Sequence, residues 1–140
     1  MMARFLVVSA GGRSIGLPVE HLEAVTLPAP VVPIPSQEPA MRGVATLRGG
    51  MVPVVHLGSL LAGSACPTLI AGAAVVVNVE SRRFCLEVDD AEVVQSGELL
   101  PVPRDRALPW AWALVRHGEE LLPLLDLLAL SARLTETGRL

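Results

Sequence analysis

Two stretches of this chain occur twice, without gaps and in the same order, and that duplication constrains the fold more than any other feature. Ile15 to Val25, IGLPVEHLEAV, lines up with Phe84 to Val94, FCLEVDDAEVV, placing Leu17 on Leu86, Val19 on Val88, Glu20 on Asp89, Glu23 on Glu92 and Val25 on Val94. Met51 to Leu61, MVPVVHLGSLL, lines up with Leu121 to Ser131, LLPLLDLLALS, placing Pro53 on Pro123, His56 on Asp126 and Leu57 on Leu127. The phase of the apolar alternation is kept in both copies. Two similar halves are implied, about 1–66 and about 67–140 of a single domain, joined near Gly63 to Gly72, with a chain crossover between them left open.

The apolar residues come in runs of four to eight, many β-branched, bounded by Gly, Pro, Asn or Ser, which predicts many short strands. Phe5 to Ser9 reads as a first strand and Gly11-Gly12 as its turn, with Ile15, Leu17 and Val19 the inward residues of a second. Leu27 to Ala40 carries five prolines and so cannot be a helix or a central strand; it reads as an extended surface connection. Val44 to Arg48 is expected to pair with Met51 to Val55 across Gly49-Gly50, and Leu57 to Leu61 to form a helical turn. Each half then has about five strands, too few for a sandwich but enough for a small closed barrel, where closure removes exposed edges. The expected class is all-β, two packed small barrels with short helical turns. The tail Leu121 to Leu134 is richly apolar and reads as either core or a partner face, core being favoured because one strand and one closing helix would use it up.

Composition narrows the chemistry. All 11 basic residues are Arg, so no lysine serves as a Schiff-base amine, phosphate-loop amine or buried base. A net charge of −3, two Trp and two Phe provide neither a basic field nor stacking platforms for nucleic acid. Cys66 and Cys85 form no C-x-x-C motif and read as small buried hydrophobes of a reducing cytoplasm. The uncharged stretch from Leu57 to Val79 is broken by Gly58, Gly63, Pro67, Gly72 and Asn78, so no membrane insertion is expected, and the N-terminal apolar run is too short for a signal peptide.

The stretch GVATLRGGMVPVVHL, Gly43 to Leu57, holds the most chemistry-bearing residues. Arg48 precedes a glycine turn of the kind that stiffens a hairpin, where it is either a solvated charge, a fork tying two strands, or a contact for another protein. His56 follows an apolar strand and titrates near neutral pH, yet no G-x-S-x-G or H-E-x-x-H motif surrounds it, and Ser59 has no triad context. As the repeat partner of Asp126 it reads as a polar cap on free N–H groups at a strand-to-helix junction. The acids Glu87, Asp89, Asp90 and Glu92 are common on solvated faces and support a metal only weakly. Trp110 and Trp112 read as a loop pair, either a binding hot spot or a lid over a barrel end. No catalytic, cofactor or metal residues are assigned.

The same stretch closely resembles the most recognisable motif of the CheW family of chemotaxis coupling proteins, through the spacing of Gly43, Leu47, Arg48, Gly49, Pro53 and Leu57. The opening F5-L-V-V, I15-G-L-P-V19, the proline-rich connection before Arg42-Gly43, the V88-D89 pair and the final L124-L-D-L-L128 resemble that family in the same order. The resemblance implies two five-stranded SH3-like barrels with a C-terminal helix, and a non-catalytic cytoplasmic adaptor recruited to receptor arrays. Its implied partners are the cytoplasmic signalling tip of a chemoreceptor, docked near the groove between barrels, and the regulatory domain of a CheA-type histidine kinase. On that reading Leu22, Gly43 and Arg48 face the receptor, while Val88, Asp89 and Val94, on the second barrel, face the kinase. Gly43 admits a second explanation, a backbone conformation at the start of a strand that only glycine tolerates. Four positions depart from the family pattern: Thr46 stands where Asn is usual, His56 where Asp is usual, and Glu23 and Glu92 sit one residue earlier than the usual acid. A divergent adaptor of a pilus-linked or other chemosensory pathway, a small ligand-binding sensor and a His56-based enzyme are the remaining alternatives.

Overall fold

In a computed structural model of the protein, residues 1–47, 49–64, 72–103 and 110–137 are described, with side chains to residue 134. The strands are β1 (Met2–Ala10), β2 (Arg13–Pro18), β3 (Leu22–Thr26), β4 (Met41–Leu47), β5 (Gly50–His56), β6 (Ala73–Val79), β7 (Arg82–Val88), β8 (Asp90–Leu100), β9 (Ala111–His117) and β10 (Glu120–Leu125). Helix α1 (Leu57–Ala62) follows β5, and α2 (Leu127–Thr137) follows β10.

The strands form two five-stranded units. One is a closed barrel in the order β1-β2-β10-β9-β8; the other is a sheet in the order β3-β6-β7-β5-β4. Setting β1–β5 against β6–β10 makes the arrangement symmetric: each half lends its first hairpin, β1-β2 or β6-β7, to the last three strands of the other. The division at about residue 66 therefore does not separate the units. The reason lies in the hairpins themselves, since β1 and β6 are apolar on both faces and need cover on both. Phe5 and Val7 point into the barrel with Ala113, Val115, Leu122 and Leu124. Leu6 and Val8 point the other way, into a larger core shared with Val55, Leu57, Val75, Val77, Phe84, Leu86, Leu127 and Leu130. For the same reason Ile15, Gly16, Leu17 and Pro18 are all buried, not alternating, and Val19 has left the strand for a short 3-10 turn, Val19–His21.

The inside of the second sheet holds small side chains, Ala45, Val52, Val54, Ala74, Val76 and Cys85. Parallel pairing repeats the symmetry, with Leu124 beside Gly16 in the barrel and Val54 beside Cys85 in the sheet. The barrel closes through Leu99–Val115 and Leu100–Leu114 pairing of β8 with β9. Among the described residues the equivalent strands β3 and β4 make no such ladder. The proline-rich connection passes beside β4, bridged by two hydrogen bonds between Val32 and Val44 of 2.8 and 2.9 Å.

Candidate functional site

The β4-β5 hairpin closes one residue earlier than expected, so Met51 pairs two residues away from the partner that a Gly49-Gly50 turn would give it. Leu47 pairs with Gly50 and Thr46 with Met51, with Gly49 between the strands at φ +79°. A left-handed residue suits the tight hairpin turn, and Gly50 is left as the first residue of β5. Arg48 itself lies outside the described residues, as does Cys66. Gly43 is buried at φ +143°, and a Cβ there would run into the Val32 carbonyl. The backbone that approaches Gly43 closely is thus the chain's own proline-rich connection. Leu22 opens β3 opposite Val77 and is half-buried against the shared core.

The three residues expected to face a kinase do not share a unit. Val88 ends β7 in the open sheet and is 2% exposed in the shared core, so its side chain cannot be touched from outside. Its apolar environment follows from the chain crossing between the units directly after it. Asp89 sits at that crossing, exposed, where its carboxylate accepts a 2.9 Å hydrogen bond from the Gly11 N–H and its own N–H donates to the Ser9 carbonyl at 2.8 Å. It ties the β1-β2 turn to the β7-β8 corner. Val94 lies on β8 and is 43% exposed, and its repeat partner Val25 on β3 is 50% exposed. Among the described residues no three His, Cys, Asp or Glu side chains gather as a metal site.

His56 is a helix cap. Its Nδ1 accepts from the Ser59 N–H at 3.1 Å and lies 2.7 Å from Ser59 Oγ. Asp126 does the same in the other half, accepting from the Ala129 N–H at 3.0 Å, so the aligned pair performs one task. Beside His56 in register is Glu87, 2% exposed, whose Oε1 lies 2.9 Å from Nε of Arg42 in the bulge of β4. Burial pushes the Glu87 carboxyl above its ordinary value and Arg42 pulls it back. Burial lowers the His56 imidazole, Asp89 opposes this, and Arg42 adds to it. Cys85, one alternation from Glu87, is pushed up to about 11 by burial and then by that carboxylate, so it is a thiol and not a nucleophile.

Two polar groupings were not singled out from the sequence. Arg83 Nη2 meets Glu23 Oε2 at 2.9 Å, its Nη1 donates to the Leu47 carbonyl at 3.4 Å, and Asn78 donates to Glu23 Oε1 at 3.3 Å. The alternation carried a signal, since Arg83, Cys85 and Glu87 fall on one strand face with charges at both ends. The second grouping joins α2 to the proline-rich connection. Arg133 Nε lies 3.1 Å from the buried Glu38 carboxylate and its guanidinium stands 4.8 Å from the Trp110 ring centroid. Trp110 packs against the shared core while Trp112 stands on β9, 48% exposed, so they are not a loop pair.

Comparison with known proteins agrees with this architecture. The CheW-like domain family matches residues 4–135. A similar solved structure is that of the scaffolding protein TtCheW from Thermoanaerobacter tengcongensis, with a TM-score of 0.77 and 17% identity, covering 91% of this chain and 86% of that one. At that identity the likeness concerns the fold. No curated protein matches the chain.

Proposed function

The chain belongs to the CheW-like domain family, and from that premise we propose that it is a non-catalytic adaptor coupling the signalling tip of a chemoreceptor to the regulatory domain of a CheA-type histidine kinase. The observation that carries this reading is the family match over residues 4–135, which runs from within β1 into α2 and so takes in strands of both units. His56, the strongest enzymatic alternative, supports it indirectly: its Nδ1 is engaged in capping α1, and the neighbouring Ser59 is 4% exposed. The receptor side comprises Leu22 on β3 and Arg48, which falls between β4 and β5 in the sequence and whose guanidinium is suited to pair with a receptor carboxylate. Gly43 contributes by setting the backbone of β4. The kinase side is the exposed face around Asp89 and Val94, with Val88 acting from within the core.

The test is binding of the purified protein to a receptor-tip fragment and to the kinase regulatory domain, measured separately by gel filtration and titration. Wild type is expected to bind both, with Arg48→Glu weakening receptor binding and sparing the kinase. Failure to bind either partner, or equal loss of both by a folded Arg48→Glu protein, contradicts the reading.

A further inference from the structure

We propose that Arg83 is a positioning residue that replaces the missing strand ladder of the second sheet and thereby sets the spacing between β3 and the β4-β5 hairpin. This rests on the reading that those two elements face the receptor. The argument comes from comparing the two units of the same molecule. In the barrel, β8 and β9 are joined by backbone pairing at Leu99–Val115 and Leu100–Leu114. In the sheet, β4 is met on its free side only at the Val32–Val44 bridge among the described residues, and the equivalent β3 and β4 do not pair with each other. There the guanidinium of Arg83, on the central strand β7, pairs through Nη2 with Glu23 on β3 at 2.9 Å and donates through Nη1 to the Leu47 carbonyl at the end of β4 at 3.4 Å. Asn78, directly opposite Arg83 in register, holds the second Glu23 oxygen at 3.3 Å.

The repeat offset that aligns Phe84 with Ile15 puts Ser14 at the position of Arg83 in the closed barrel. The arginine is therefore present in the open unit and replaced by a short side chain where the ladder does the joining. A planar fork with several donors suits this task, since it can address a carboxylate and a carbonyl at once; a lysine ammonium on a flexible stem offers no fixed spacing. The Arg83 and Glu23 side chains are 23% and 30% exposed, partly shielded from the solvent screening that weakens surface pairs. A Cβ on Gly50 would lie 3.9 Å from Arg83 Nη1, so the same group also sits beneath the first residue after the turn.

The experiment compares wild type with Arg83→Met, Arg83→Lys, the double exchange Arg83→Glu with Glu23→Arg, and Arg48→Glu. Each is assayed for receptor-tip affinity, kinase-domain affinity and amide exchange at 47–51 and 22–26. Arg83→Met is expected to speed exchange in both segments and to weaken receptor binding about tenfold with kinase binding unchanged. Arg83→Lys should not restore the wild-type affinity, and the double exchange should recover part of it. Receptor binding lost with Arg48→Glu but kept with Arg83→Met would overturn the positioning role and leave the adaptor reading standing. Unchanged exchange in both segments would overturn it without reference to any partner. Wild type that binds no receptor tip would overturn the adaptor reading and, with it, the role assigned to Arg83; the exchange result would then describe a strut of the fold alone.

Discussion

At the scale of single residues, the aligned pair His56 and Asp126 shows how one geometric task is met by two chemistries. Both accept a backbone N–H three residues on, at the first turn of α1 or α2. His56→Ala is expected to cost about 1 kcal/mol, read by chemical denaturation near neutral pH. Only the neutral imidazole can accept the Ser59 N–H at Nδ1, and burial holds the folded value below the ordinary 6.5. A depressed histidine value means the folded state favours the uncharged ring. Its contribution is complete above 6.5 and is lost as pH falls through the lower folded value. Glu87 works with the opposite sign: its folded value lies above the ordinary 4.5, so its contribution is largest at low pH and is lost as pH rises through the folded value. The difference between wild type and His56→Ala isolates the histidine, and that difference should shrink steadily below pH 6.5; a difference independent of pH would count against the cap. Cys85 is expected to resist maleimide in the native protein and to react on unfolding, because its thiol is both buried and raised to about 11.

At the scale of elements, β4 depends on Gly43 and Arg42, adjacent residues in one bulge. Gly43→Ala meets the Val32 carbonyl at a φ that L residues rarely adopt, with no flexible side chain to give way. A loss above about 2 kcal/mol is expected, seen as a lower denaturation midpoint. Arg42→Met leaves the Glu87 carboxylate buried without its 2.9 Å partner, a change of the kind that costs about 3–5 kcal/mol. Burial already pushes Glu87 toward the protonated form, so this loss should be smaller in mild acid than at neutral pH. The strands themselves were legible because runs such as FLVVSA and AAVVVNV are short, β-branched and bounded by turn residues. The β4-β5 register was not, because two successive glycines offer two equally permissive turns and only the pairing of Leu47 with Gly50 chooses between them.

At the scale of the molecule, interleaving makes the halves interdependent. Among the described residues the β1-β2 hairpin has strand partners only in β8 and β10, and β6-β7 only in β3 and β5, apart from pairing within each hairpin. A fragment 1–64 expressed alone is therefore expected to lack a cooperative unfolding transition, because Phe5, Val7 and Leu17 lose their cover. Mixing or coexpressing it with 72–140 should restore a cooperative fold. A fragment 1–64 that melts cooperatively by itself would contradict the exchanged-hairpin architecture.

The repeat, the short strands, the proline-rich connection and the paired caps were all readable from the order of residues, since each rests on a local pattern: apolar runs between turn residues, a missing N–H, a side chain that accepts from an N–H three residues on. Membership of the CheW-like family was readable too, because its glycine, arginine and proline spacing is itself a local pattern. What tertiary structure alone decided is who pairs with whom. Whether a hairpin packs on its own half or the other depends on long-range burial that both arrangements satisfy equally in sequence. That choice placed Val88 in the core, put Asp89 at a crossing, and left β3 and β4 at the two ends of the sheet, with Arg83 in contact with Glu23 of one and the Leu47 carbonyl of the other.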